Sequence, residues 1–89
     1  MSPAEFTFKL TVPADPEGAS VVAVVATHAA EYARLDAAAG AAFVERVRGT
    51  AGAALKGATG THCVVVFAAA AGQLTVTIGT ESVSEPLPS

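Results

Sequence analysis

His28, His62 and Cys63 are the residues of this chain whose types suit nucleophilic or metal chemistry. A thiol becomes a nucleophile when an imidazole can take its proton. His62 and Cys63 are adjacent in a segment that reads as a strand, and adjacent strand residues point to opposite faces. His62 therefore does not reach the Cys63 thiol, and a buried, inert cysteine is expected. Two histidines on separate elements, with no paired carboxylates beside them, are not a zinc ligand set. Cys63 is the sole cysteine, which excludes an internal disulfide and a multi-cysteine metal site. Gly57-Ala58-Thr59-Gly60-Thr61 follows a helix and precedes a strand, the reverse of a phosphate-binding loop, and lacks the Gly-Lys-Ser/Thr ending. Glu31 with Arg34, and Glu45 with Arg48, are spaced as solvent-facing helix pairs. No catalytic residue, metal ligand or cofactor is expected from these groups.

The 89 residues fit one small domain. A hydrophobic content of 52% with 15% charged residues excludes a disordered chain. Much of that apolar content is alanine, so the core has few large side chains and self-association is expected. The formal charge of −3 carries no basic cluster, so no nucleic-acid ligand is expected. The longest apolar run, Cys63 to Ala71, is less than half a membrane span. The N-terminus has no basic region followed by an apolar one. A soluble cytoplasmic protein with no membrane partner is expected.

These residues need elements to position them. Phe6, Phe8, Leu10 and Val12 alternate with Thr7, Lys9 and Thr11, which predicts a half-buried strand ended by Pro13. Asp15 is placed to cap a helix that opens on Pro16 and runs to about Leu35. Val21, Val25, His28, Tyr32 and Leu35 recur at helical spacing as its expected core stripe, with Tyr32 in the core and His28 at its edge. Asp36 is expected to cap a second helix over 37–56, with Phe43, Val44, Val47, Ala51, Ala54, Leu55 and Ala58 as its apolar side. Gly49 and Gly52 inside it imply close helix packing or a frayed end. Residues 62–70 predict a second strand, buried on both faces or central in the sheet, Ala71-Gly72-Gln73 a turn, and residues 74–78 a third strand closing a hairpin. Residues 80–89 show no periodicity and are expected to be a flexible tail. The expected fold is α+β with the order β-α-α-β-β: two helices on one face of a three-stranded antiparallel sheet. Thr7, Lys9, Thr11, Thr75 and Thr77 would lie on the other face, which also suits an interface.

A strand ending in Leu10-Thr11-Val12-Pro13-Ala14-Asp15-Pro16, Ala33-Arg34-Leu35-Asp36 between two helices, Ala54-Leu55-Lys56-Gly57-Ala58 closing the second, and Leu74-Thr75-Val76-Thr77-Ile78 resemble the N-terminal half of a GHKL (Bergerat-type) ATPase domain. The similarity spans about residues 6–84 and is greatest to the anti-sigma factor serine kinases. It implies a half domain over 1–79. In that family the second helix carries a general-base Glu and, four residues later, a magnesium-binding Asn. Registering on Ala54-Leu55-Lys56 puts Gly49 and Ala53 at those positions. The Asp-x-Gly-x-Gly box that holds adenine falls on Thr80, Ser82 and Ser84. Neither glycine nor alanine can take a proton from a nucleophile or bind a cation through its side chain. The family's lid, second glycine-rich box and last strands have no counterpart up to Ser89.

The resemblance therefore implies a degenerate, truncated relative. It would be a regulatory protein-interaction module rather than an enzyme, with ATP binding lost and no cofactor. By the same resemblance its partner would be a sigma factor, a STAS-type anti-sigma antagonist or a kinase relative. A homodimer, through edge-strand pairing or the threonine-bearing sheet face, is expected as well. The alternative is an ATP-binding serine protein kinase with an altered or partner-completed site, for which Glu45 and Glu81 are the nearby carboxylates.

Overall fold

The structure, a computed structural model, describes residues 5–87. Its order is β1 (Phe6–Pro13), α1 (Pro16–Tyr32), α2 (Ala37–Lys56), β2 (His62–Ala70), β3 (Gln73–Ile78) and β4 (Glu81–Pro86). The four strands form one antiparallel sheet in the order β1-β2-β3-β4. The expected α+β layering, two helices on an antiparallel sheet, is present. The sheet has four strands instead of three, and residues 81–86 are its fourth strand where a tail was expected. Residues 88–89 of that expected tail lie outside the described residues.

Local chemistry accounts for the element ends. Asp15 caps α1 by accepting from the Gly18 N–H at 3.0 Å, and Asp36 caps α2 by accepting from the Ala39 N–H at 2.7 Å. α1 stops at Tyr32, three residues before the expected end. The Arg34 N–H donates to the Glu31 carbonyl and the Leu35 N–H to the Ala30 carbonyl, with Arg34 at φ 65°. This is a Schellman closure built on arginine where glycine is usual. The β2–β3 turn has Ala71 and Gly72 both at positive φ, as a two-residue I′ hairpin requires. Gly79, at φ 62°, opens an equally tight turn into β4, the sort that favours glycine in its first position.

The helices cover one face of the sheet, α1 over the β1–β2 side and α2 over the β3–β4 side. Between them and the sheet, Phe43, Phe67, Leu74 and Ile78 are the largest fully buried side chains. α2 buries Phe43, Val47, Ala51 and Leu55 as its spacing predicts. α1 does not. Its buried residues are Gly18, Ala19, Val22, Ala23, Ala26, Ala29 and Ala30. The expected stripe is rotated out of the core: Val21 is 38% and Tyr32 69% exposed, His28 is exposed, and Val25 and Leu35 are half-buried. A helix lying flat on a sheet and against a neighbour gains most by close approach, which the alanines permit, with Val22 the one large side chain enclosed among them. β2 is central, as expected, but only one of its faces is covered. Val64 on the other face is 51% exposed.

Gly49 and Gly52 do not serve close packing. A β-carbon at either would meet nothing within 4 Å, and α2 continues past both to Lys56. Gly18 is the opposite case, since its β-carbon would fall 1.8 Å from the Pro13 carbonyl oxygen. Gly18→Ala is expected to destabilise the fold by about 2–3 kcal/mol, because the obstacle is backbone and cannot step aside. Gly52→Ala is expected to stabilise it by about 1 kcal/mol. Shifts of opposite sign in the urea unfolding midpoint check both.

Candidate functional site

α2 runs along β4, held there by Arg46. Its guanidinium donates to the Ser84 carbonyl at 3.2 Å and pairs with the Glu85 carboxylate. One turn further on, Gly49 and Ala53 come round to the same side of the helix and meet the start of β4. They line a shallow cleft of about 420 Å³ with Thr50, Ala54 and Glu81. The structure thus brings Gly49 and Ala53, at the resemblance's general-base and magnesium positions, beside Glu81, the residue after Thr80. It does not bring in the remaining three: Thr80 sits in the β3–β4 turn, outside the lining of the cleft. Ser82 and Ser84 sit opposite Thr77 and Thr75 on the sheet face away from the helices, where the Ser84 and Thr75 hydroxyls lie 3.0 Å apart.

The chemistry available in this cleft is meagre. Glu81 is the sole ionisable side chain of its lining. A phosphate placed there would meet a carboxylate and no cation. The backbone N–H groups of residues 49–54 belong to the middle of α2, where the helix ladder consumes them; free donors occur in the first turn of a helix, not its interior. Residues 81–86 pair with β3 throughout, so this segment forms a strand and not the glycine-rich loop that wraps a nucleotide. Glu45, the other carboxylate considered for this site, lines a different surface.

That surface is the groove between α1 and α2, which the sequence did not announce. Towards the start of α1 it opens to about 800 Å³, floored by Ala19, Ala23, Gly52 and Leu55, with Arg48 and Lys56 at its rim. Towards the α1–α2 connection a smaller hollow of about 380 Å³ is lined by Glu31, Asp36 and Glu45 around Ala30 and Val44. The groove exists because facing positions carry alanine and glycine, too small to fill the space between two cylinders. Small residues at helical spacing on both helices were the available signal.

The remaining candidates are dispersed. His62 is exposed, with its Nδ1 3.0 Å from the Thr61 hydroxyl. Cys63 is half-buried against the core rim rather than fully buried. His28 is exposed on the outer flank of α1 and Tyr32, expected in the core, packs edge-on against Phe6 at 5.3 Å. Arg48 and Glu45 approach to 4.0 Å on the surface. Arg34 lies beyond the end of α1 at positive φ. Among the described residues no three His, Cys, Asp or Glu side chains come together to hold a metal ion, and no helix is long and apolar enough to cross a membrane.

Protein-family models, curated proteins and solved structures were all compared with this chain, and none matches it.

Proposed function

We propose that this chain is a non-catalytic regulatory module that binds a protein, related to the anti-sigma factor kinases of the GHKL group, with ATP binding lost. The supporting observation is the cleft between α2 and β4. Its lining holds Gly49 and Ala53 where a nucleotide site needs a base and a magnesium ligand, and one carboxylate where phosphates need cations. The partner by this reading is a sigma factor, an anti-sigma antagonist or a kinase relative, met in the cytoplasm. Nucleic acid is a poor partner for a chain of net charge −3 without a basic cluster.

The competing reading is an ATP-binding serine kinase whose site is altered or completed by another chain, with Glu81 as its remaining carboxylate. Titration calorimetry with Mg-ATP and Mg-ADP separates the two. No saturable heat is expected. Clear micromolar binding would overturn the proposal and favour the kinase.

A further inference from the structure

The two edges of the sheet are unlike. β4 is six residues long, carries Glu81, Glu85 and Pro86, and has α2 clamped over it through Arg46. Charge, proline and cover are the ordinary ways of keeping an edge strand from pairing. β1 also ends in a proline, Pro13, but it is eight residues long, has Lys9 as its one charged residue, and is backed by exposed apolar surface. Phe8 is 40% exposed and stacks on Phe67 at 4.9 Å, Phe6 stacks on Phe8 at 5.8 Å, and Tyr32 and Val21 extend the patch up the flank of α1.

The backbone of β1 says which groups are free. The Ala14 N–H donates to the Thr61 carbonyl at 2.9 Å, and these two residues continue the β1–β2 register. In an antiparallel ladder hydrogen-bonded pairs alternate with non-bonded ones. Even-numbered residues of β1 therefore bond to β2, and Thr7, Lys9 and Thr11 turn their N–H and C=O groups outward.

We infer that β1 pairs antiparallel with β1 of a second copy of this chain, in the register that sets Thr7 opposite the partner's Thr7. An antiparallel strand pair is self-complementary about a two-fold axis, so the same edge serves both copies. Pairing of outward groups limits partners to odd-numbered residues. Centring on Lys9 would set two lysines face to face, and centring on Phe8 would set Lys9 opposite Thr7 and Glu5 opposite Thr11, leaving both charges without an opposite. Centring on Thr7 sets Lys9 opposite Glu5 of the partner subunit and Phe8 opposite Phe6 of the partner subunit, each twice. Opposite charges and aromatic pairs are the favourable cross-strand combinations. In this register residues 5–9 of the two copies overlap, a seam about 17 Å long beside the Tyr32 end of α1. The alanine-rich core, short of large side chains, gains from the rings this buries.

The inference rests on the proposed function only in taking the chain for an interaction module. Its test is separate from nucleotide calorimetry. Sedimentation equilibrium of the full chain at micromolar concentration is expected to give twice the monomer mass. Lys9→Glu is expected to raise the dimer dissociation constant about tenfold, and Glu5→Lys added to it to restore the original value. In a Cys63→Ser background, Thr7→Cys is expected to cross-link efficiently with a short bifunctional maleimide and Val66→Cys, on the open sheet face, is not. A monomeric mass would overturn the inference. So would a dimer that cross-links through position 66 and not position 7, or one indifferent to charge at position 9. None of these results depends on whether Mg-ATP binds.

Discussion

Close approach of an alanine-faced helix is the constraint on which the rest of this structure depends. α1 meets the sheet and α2 through Ala19, Ala23, Ala26, Ala29 and Ala30, and at Gly18 the chain comes so near Pro13 that no β-carbon fits. Alanine contributes little buried area of its own. What it permits is contact, so that a few large side chains, Phe43 and Phe67 among them, are fully enclosed. Val22 is the one large side chain of α1 enclosed on that face, while Val21 and Val24 stand out on its flank.

Two surfaces follow from that arrangement. On the outside of the helix pair, small facing residues leave a groove whose ends differ in charge, Arg48 and Lys56 at one and Glu31, Asp36 and Glu45 at the other. Beside β1, the residues turned out of the core join Phe6 and Phe8 in an apolar flank. Neither surface offers a nucleophile with a base, a cluster of metal ligands or a set of free backbone donors. The cleft between α2 and β4 is poorer still, because it faces the middle of a helix, where every amide is already engaged. The groove and the β1 flank carry apolar area bordered by charged side chains.

Much of the fold was legible because local rules dominated. The two aspartate caps, the limits of α2 and the strands over 6–13 and 62–70 follow from capping chemistry and alternation acting on neighbouring residues. The fourth strand was missed because Glu81-Ser82-Val83-Ser84-Glu85-Pro86 contains one large buried residue, Val83, and its strand character comes from the β3 ladder. The signal was the glycine at 79, which opens a two-residue turn of the kind that reverses a chain. The core face of α1 was misread for a related reason. Hydrophobicity ranks Val21, Val25 and Tyr32 above alanine, and a stripe chosen by rank falls on the wrong side of the helix.

The order of the first five elements, the starts of both helices, the end of α2 and the lack of a functional side chain at positions 49 and 53 were determined by the sequence itself, since caps, turns, periodicity and side-chain chemistry act within a few residues. Which face of α1 meets the core, whether 81–86 extends the sheet, and which edge of that sheet stands open were decided only by tertiary structure. Each depends on distances between segments far apart in the chain, and no local pattern encodes a distance.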